Sequence, residues 1–234
     1  MTIKKGLIFG LILLVIITSS IIFFNNYLNG QANNSNKTIE LNEIDKESRV
    51  NKLLYNRQSV RNYNNQSISF KNISEIIWSA EGINVDGISG PTRTSPSAGA
   101  TDPLVIYVSI SKVSNLKSGL YRYEPTEHLL HYLIEQDISE PLAEAALGQS
   151  PVAEAPACLI ITANYEDTTN RYGERGIKYV HMEAGAAAQN ALLTAESNNL
   201  AGVIIGAFEN NRIKKVMGGI KETPLLLIPI GHEL

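Results

Sequence analysis

The sequence has few of the residues that build a disulfide scaffold, a nucleic-acid surface or a metal centre. Its single cysteine, Cys158, excludes a disulfide within the chain. It lies in the apolar run ACLIITA, so we expect a buried thiol, with a catalytic thiol as the alternative. The net charge is -3 and no basic stripe is visible, which argues against nucleic acid as a partner. No two of the four histidines have metal-ligand spacing, so we predict no metal site.

Several catalytic motifs are also missing. The sequence contains no G-x-S-x-G element and no G-x-x-x-x-G-K-S/T loop, which removes the common hydrolase and P-loop patterns. The run GAAAQN from Gly185 lies inside a predicted helix and is therefore no dinucleotide fingerprint. Its small residues would let another backbone approach closely, either within the chain or across a subunit interface.

One long apolar run is present near the amino terminus. Residues 7–24 are uncharged and about as long as the ~20 residues that span a bilayer, so we predict a transmembrane anchor over residues 6–24. Lys4 and Lys5 precede it, which predicts a short cytoplasmic end over residues 1–5 and an extracytoplasmic bulk. A cleaved signal peptide and the reverse orientation are the alternatives. Residues 25–47 are rich in Asn and Ser and read as a polar linker, which leaves one domain over residues 48–234.

The domain mixes helical and strand patterns without strict repetition, which favours an α+β sheet packed by helices. In the first helix we expect Asn72 as the cap and Glu75 as the N3 residue. The predicted helices cover residues 70–80, 139–147, 177–197 and 210–217. The predicted strands cover residues 104–110, 120–123, 129–133, 157–163, 201–205 and 225–230, with a hairpin turn around Pro125.

Two short segments carry candidate binding chemistry. In NRQSVRNY, Arg57 and Arg61 flank Ser59, and guanidinium forks with a hydroxyl can bind a phosphate. In PSAGA, residues 96–100, small side chains expose backbone groups that can approach a ligand closely. Taken singly, the first is also explained by a solvated basic turn and the second by an ordinary loop.

Together, these segments carry a resemblance. An R-x-S-x-R element, then PSAGA before a strand, then RYGERGIKYVHMEAGAAAQNALL and GVIIGAFE, resembles the nitroreductase family of FMN enzymes over residues 53–231. Within that family the chain looks most similar to the SagB-type subgroup, which is related to thiazoline and oxazoline dehydrogenases. The resemblance implies a central mixed sheet packed by helices, and a homodimer with FMN at the interface. It also implies a small-molecule substrate, with NAD(P)H as the candidate electron donor.

The resemblance also implies roles for individual residues. Arg57 and Ser59 would clasp the flavin phosphate with Arg61 as a helper, and Gln58 would line the ribityl chain or the ring edge. Small side chains beside the ring would leave one face open to two substrates in turn. The residues expected to pack along the isoalloxazine from the other subunit are Pro96, Ser97, Ala98 and Gly99, and those expected to place backbone near N5 are Gly206 and Ala207.

Two further positions bear on chemistry. Lys178 and Tyr179 stand where thiazoline dehydrogenases carry a Lys–Tyr pair for proton abstraction, so the resemblance implies that role. A solvated Lys beside a packed Tyr is the alternative. Relatives place a Lys or Arg just past the final P-x-G, where PIGHEL has His232. An unperturbed His is mostly neutral at neutral pH, so the phosphate would be held less strongly unless Arg61 compensates.

The sequence therefore supports a ranked set of functions. The leading hypothesis is an FMN-dependent oxidoreductase that works by ping-pong hydride transfer through flavin N5, on a quinone, a nitro compound or an azoline heterocycle. The alternative is a membrane-tethered flavin-binding module without turnover. A third class, an interaction domain without a ligand, is disfavoured by the two small-residue motifs.

Overall fold

The computed structural model describes residues 14–27, 39–87 and 90–234, with the backbone alone for residues 85–87 and 90–91. Contacts between Cα atoms divide the chain into two units, Met1–Ile44 and Asp45–Leu234. The second unit holds every segment of the resemblance.

In the first unit, residues 14–27 form helix α1, in which the hydroxyls of Thr18 and Ser19 donate to carbonyls of the preceding turn. No helix within the described residues is both long and apolar enough to span a bilayer. The predicted anchor over residues 6–24, and with it the extracytoplasmic placement, is therefore wrong. Residues 6–13 of that prediction lie outside the described residues.

The second unit alternates short strands with helices. Its helices are α2 (Arg49–Asn56), α3 (Phe70–Glu81), α4 (Ser139–Ala145), α5 (Ser150–Glu154), α6 (Tyr165–Tyr172), α7 (Arg175–Ser197) and α8 (Asn210–Val216), with a 3-10 turn at Ala98–Ala100. Its strands are β1 (Ile83–Gly87), β2 (Gly90–Arg93), β3 (Leu104–Ile110), β4 (Gly119–Glu124), β5 (Leu129–Ile134), β6 (Ala157–Ala163), β7 (Ala201–Gly202) and β8 (Thr223–Gly231).

The main sheet has six strands in the order β5-β4-β3-β6-β8-β7, and β1 pairs with β2 in a separate hairpin. Every pairing between these named strands is antiparallel. The predicted α+β class is confirmed, but the predicted mixed sheet is wrong. Among the described residues, parallel pairing is confined to two single-residue bridges, Ser59–Gly202 and Ile68–Val113.

Two apolar clusters cover the two faces of this sheet. On one face, Ile106 and Val108 of β3 share a cluster with Ile73 of α3 and Val180 of α7. On the other face, Tyr107 shares a cluster with residues of α4 and α8. Side chains alternate between the two faces along a strand, so β3 contributes residues to both clusters. Its sequence is therefore a nearly continuous apolar run. Helix α7 thus lies across one face, where its alanines are buried.

Details of the helix ends differ from the sequence prediction. Ser69, rather than Asn72, is the cap of α3, because the Ser69 hydroxyl accepts a 3.1 Å hydrogen bond from the Asn72 amide. Asn72 is the third residue of the helix, and its backbone amide is one of the N-terminal donors that have no partner within the helix and that a cap residue pairs. The strand predicted over residues 201–205 is regular only at Ala201–Gly202, with a later bridge from Ile205 to Leu227.

Candidate active site

The segment Arg57–Arg61 leaves α2 and runs alongside β7. Ser59 forms a bridge with Gly202, and the Val60 amide donates a 3.1 Å hydrogen bond to the Gly202 carbonyl. Val60 is buried, whereas its neighbours face outward. Among the residues that the structure describes, neither the Arg57 nor the Arg61 guanidinium has an ion-pair partner. The exposed members of the segment are Gln58, Ser59 and Arg61, and Arg57 is half-buried.

The buried side chain of Tyr63 anchors this segment to β8. Its hydroxyl lies 2.9 Å from the Val60 carbonyl and 3.0 Å from the Pro229 carbonyl, so one proton serves two acceptors. Burial raises the pKa of the Tyr63 phenol above its ordinary value. The chain end also pairs here, since the Asn64 amide donates 2.9 Å to the His232 carbonyl. His232 therefore lies beside the strip that follows Arg61, although its position in sequence is remote.

The small-residue loop is held by a different set of elements. Pro96 and Gly99 are exposed, whereas Ser97 and Ala98 are half-buried. Gly99 has a φ of 64°, in the left-handed region that glycine tolerates. A Cβ at this position would lie 2.4 Å from the Tyr172 hydroxyl. A bulky replacement at Gly99 would thus disturb the loop itself, in addition to any ligand beside it.

Two hydrogen bonds hold the loop around Gly99. Arg171 Nη1 donates 2.8 Å to the Gly99 carbonyl, and the Ser97 hydroxyl accepts 2.9 Å from the Asp102 amide. Asn190 of α7 donates through Nδ2 to the Thr94 carbonyl at 3.1 Å. The loop is therefore preorganised by α6 and α7 of its own chain.

Behind the loop lies a cluster of three carboxyl groups, from Glu81, Asp102 and Glu183, whose oxygens all lie within 4.8 Å of one another. Arg93 Nε lies 3.6 Å from both Glu81 Oε1 and Asp102 Oδ2. Ser95 Oγ donates a 2.6 Å hydrogen bond to Glu81 Oε2. Glu81 and Glu183 are only 1% and 3% exposed. One guanidinium thus faces three acids in a desolvated space.

Burial and mutual repulsion favour the protonated form of the carboxyl groups in this cluster. Burial raises the pKa of Glu81 to about 7, opposed by the Ser95 hydrogen bond and Arg93 and reinforced by Glu183. Burial likewise raises the pKa of Glu183 to about 7, opposed by hydrogen bonds from Ser97 and the Ala98 amide. Carboxylates can ligate hard cations, but the Arg93 guanidinium already supplies positive charge here. We therefore interpret the cluster as a proton-sharing support of the loop.

The sequence analysis did not identify this cluster. A signal was available, because Glu81 and Glu183 interrupt apolar helical faces. Glu81 follows Ile77 by four residues, and Glu183 stands between Val180 and Ala187, which are all buried. A charged residue at a core position of a helix is rarely buried without a partner. The partner itself could not be read from the sequence.

Gly206 and Ala207 lie just beyond the Ile205–Leu227 bridge, whose two backbone hydrogen bonds are 2.8 and 2.9 Å long. Both are exposed. A Cβ at Gly206 would have a single neighbour at 3.9 Å, on Leu226, so the space before it is open. This space is a cavity of about 470 Å³. Its other lining residues include Tyr165, His181, Gly185 and Phe208.

A second pair missed from sequence lies in this cavity. Tyr165 and His181 are joined by a 2.5 Å hydrogen bond between Oη and Nε2. Their rings meet edge to face, with centroids 5.6 Å apart. Tyr165 starts α6 and His181 stands within α7, so the two meet because these helices pack together. A lone histidine inside a helix gave no sequence signal for such a pair.

The side chains of Lys178 and Tyr179 leave α7 in different directions. Lys178 is exposed, whereas Tyr179 is half-buried and packs edge to face on Tyr172, with ring centroids 5.2 Å apart. Consecutive helical positions are about 100° apart around the axis. The Tyr179 ring is therefore held near the small-residue loop, and Lys178 projects to the helix surface.

The comparisons with known proteins agree with this architecture. The sequence profile of the Nitroreductase family matches residues 54–232. A protein of Methanocaldococcus jannaschii, provisionally named a nitroreductase, is 42% identical over 196 residues, which cover 84% of this chain and 96% of that protein.

Two solved structures share the fold at low identity. One is a chain of the E. coli microcin synthetase complex with truncated pro-MccB17 bound, at 20% identity and a TM-score of 0.66 over 86% of this chain and 77% of that one. The other is the NADPH:FMN oxidoreductase from Vibrio harveyi complexed with NAD+, at 18% identity and a TM-score of 0.56 over 79% of this chain and 69% of that one. With a profile match over most of its length and a relative of this identity, the chain belongs to the Nitroreductase family.

Proposed function

We propose that this chain is an FMN-dependent oxidoreductase that uses NAD(P)H to reduce small planar acceptors such as quinones or nitro compounds. The observation that carries the proposal is the pair of guanidinium groups, Arg57 and Arg61, that flank the exposed hydroxyl of Ser59 without an ion-pair partner among the described residues. Membership of the Nitroreductase family supports the oxidoreductase part of this proposal.

The donor set suits a phosphate. A phosphate monoester carries a charge of about −1.5 to −2 at neutral pH and has three acceptor oxygens. Arg57 and Arg61 would supply two positive charges, and Ser59 a hydroxyl donor, all on a segment anchored by Gly202 and Tyr63. The chain carries a net charge of -3, so this local positive charge is a property of the segment and not of the whole surface.

The ring of the cofactor would lie towards Gly206 and Ala207, four and five residues beyond Gly202. Their exposed backbone can offer an amide to the ring edge without a side chain in the way. When bound, FMN would supply hydride chemistry, and the protein would supply position and exclusion of water. Gln58, which is exposed at the edge of the segment, would contact the ribityl chain.

We further propose that a second copy of the chain completes the site, with its residues 96–99 against the ring. Exposed apolar side chains support this. Ile177 and Met182 of α7 are 44% and 59% exposed, and Ile204, just past β7, is 39% exposed. Large exposed apolar side chains mark surfaces that associate. Most alanines of α7 are instead buried within the chain, so close intrachain packing accounts for them.

The oxidation of azoline heterocycles in the manner of the SagB-type subgroup is a second candidate function. The likeness in fold to a microcin synthetase chain supports it. Lys178 and Tyr179 would then abstract a proton from the substrate. We rank this function second because Tyr179 packs on Tyr172 and Lys178 is exposed, so the two do not converge on one point.

The test is a flavin titration of the full chain and of Arg57→Ala. We expect the parent to bind FMN, to show flavin absorbance that bleaches with NADH or NADPH, and to reduce menadione. We expect Arg57→Ala to raise the Kd for FMN about 10-fold or more, as loss of a charge-assisted hydrogen bond predicts. The Kd for riboflavin, which lacks the phosphate, should stay unchanged.

Lys52→Ala provides the control, because Lys52 is an exposed cation on α2 close to the same segment. It should leave both constants unchanged. A parent protein that binds neither FMN nor riboflavin would contradict the proposal. Bound FMN without any turnover of quinones, nitro compounds or azolines would instead indicate a flavin-binding protein.

A further inference from the structure

We propose that Tyr165 and His181 form the proton-donating pair of an acceptor site in the cavity beside Gly206, in which Tyr165 donates to the oxygen of a bound quinone or nitro compound. This inference rests on the proposed function, because it needs the cofactor ring at Gly206. Tyr165 would be the catalytic residue, and His181 would position its hydroxyl and return its proton.

The cavity is of the right size and lining for such an acceptor. Its volume of about 470 Å³ lies within the range of about 300–1,000 Å³ found for small-molecule sites. Apolar side chains, including Phe208 and Leu226, form much of its wall. Its polar lining residues are few, and two of them, Tyr165 and His181, are joined by a hydrogen bond. A flat, largely apolar molecule with a polar group matches this lining.

Gly206 connects the cavity with the reacting part of the proposed cofactor site. It lines the same cavity as the Tyr165–His181 pair, and a Cβ at this position would meet only Leu226, at 3.9 Å. Gly185 of α7 lines the cavity too, and a Cβ there would meet nothing within 4 Å. The two glycines thus keep the space between the ring edge and the pair free for a substrate.

At neutral pH Tyr165 can donate a proton but cannot abstract one, because burial raises the pKa of its phenol and keeps the group protonated. With a proton on Nε2, His181 donates the hydrogen bond to Tyr165 Oη, and the phenolic proton is free to point into the cavity. His181 is exposed, so its second ring nitrogen can exchange a proton with water. Lys178, one turn earlier, and Arg175 are exposed cations on the same helix.

The step balances for a quinone. FMN, when bound and reduced by NAD(P)H, would supply the acceptor with a hydride, that is, two electrons and one hydrogen nucleus. The Tyr165 O–H bond breaks, its proton forms the new O–H bond on the acceptor, and its electron pair stays on the tyrosine oxygen. His181 then returns a proton to Tyr165 and takes one from water. The net change is quinone plus hydride plus one proton to hydroquinone.

The two half-reactions separate this inference from the proposed function. In the full chain loaded with FMN, we expect Tyr165→Phe to slow bleaching by NADH far less than it slows reoxidation, because hydride transfer from the nicotinamide needs no proton from Tyr165. Reoxidation by 1,4-naphthoquinone should fall about 100-fold, as for the loss of a general acid. A calorimetric titration of the oxidised protein with 1,4-naphthoquinone, which involves no turnover, should show a Kd raised about 5-fold by the lost hydrogen bond.

His181→Gln should also slow reoxidation by 1,4-naphthoquinone, whereas bleaching by NADH should stay near the parent rate. His131→Gln is the matched control, because His131 is an exposed histidine of β5 at the far edge of the sheet, and it should change neither step. If Tyr165→Phe reoxidised at the parent rate and bound 1,4-naphthoquinone equally well, the inference would be overturned with the proposed function intact. A parent protein without bound FMN would overturn both.

Discussion

Ser95 Oγ donates a 2.6 Å hydrogen bond to Glu81 Oε2, which joins the last residue of α3 to the loop that carries Gly99. Both residues are 1% exposed. Glu183 of α7 lies in the same carboxyl cluster as Glu81 and Asp102, so acids from two helices lie behind the loop. The shape of the loop therefore depends on how many protons these carboxyl groups carry.

We expect the free energy of unfolding to fall as the pH rises from about 5 to about 8. The pKa of Glu81 is about 7 in the folded chain, against 4.5 for the ordinary carboxyl group. Between these values the folded state binds more protons than the unfolded state, so the stabilising contribution is present at acid pH and lost through the folded pKa. A shift of this size corresponds to about 3 kcal/mol. Urea unfolding at a series of pH values measures it.

Glu81→Gln is the informative variant for this dependence, because the amide resembles the protonated acid. We expect it to reduce the loss of stability between about pH 5 and about pH 8. Glu144→Gln on α4 replaces an exposed carboxyl group and should keep the parent profile. A Glu81→Gln profile parallel to that of the parent would show that the cluster does not titrate as described.

The hydrogen bond from Arg171 to the Gly99 carbonyl should contribute to flavin affinity more than to stability. Arg171 is exposed, so we expect Arg171→Ala to shift the melting temperature little. Loosening the loop should raise the Kd for FMN about 5-fold, the equivalent of about 1 kcal/mol. Arg175→Ala, an exposed arginine at the start of α7, is the control. Equal affinities for the two variants would argue against a role of the loop in binding.

Removal of the Tyr63 hydroxyl should weaken both the fold and the phosphate segment. Tyr63→Phe leaves the carbonyls of Val60 and Pro229 without this donor, which costs about 1–2 kcal/mol. Tyr55→Phe removes a hydroxyl from an exposed ring on α2 and should cost little. Urea midpoints measure the difference, and flavin titrations of both variants follow the segment. If Tyr63→Phe were as stable as Tyr55→Phe, the anchoring role would be wrong.

Cys158 should resist thiol reagents as long as the chain is folded. It is 2% exposed, and burial raises the pKa of its thiol to about 12. We expect no reaction with DTNB in buffer and one equivalent in denaturant. Cys158→Ser should cost about 1–3 kcal/mol, because it buries a hydroxyl among apolar groups, and Cys158→Ala less. Rapid labelling of the native protein would point to the catalytic alternative.

The elements that the sequence predicted well are those marked by a local hydrophobic pattern. The apolar run 104–110 is a strand because β3 is buried on both faces, and the run 157–163 is β6 for the same reason. The antiparallel order of these two strands depends on pairings such as Leu104 with Ala163, which no local pattern encodes.

The candidate site shows the same division. Arg57 and Ser59 are predicted as phosphate ligands from a short motif, because their spacing is local, and this role stays a prediction. The contact of Tyr165 with His181 joins residues 16 apart across the junction of two helices, and that of Ser95 with Glu81 crosses the β1–β2 hairpin. Such pairs require the packing of elements, and the sequence alone supplied neither their distance nor their burial.

The bridge between Ser59 and Gly202 has a consequence for solubility. Strand β7 is the last strand of the sheet on its side, and the Val60 amide occupies the Gly202 carbonyl there. An uncovered sheet edge offers unpaired backbone groups to other chains and promotes aggregation. The residues proposed to clasp the phosphate therefore also shield this edge, so variants that dislodge the segment should aggregate as well as lose their ligand.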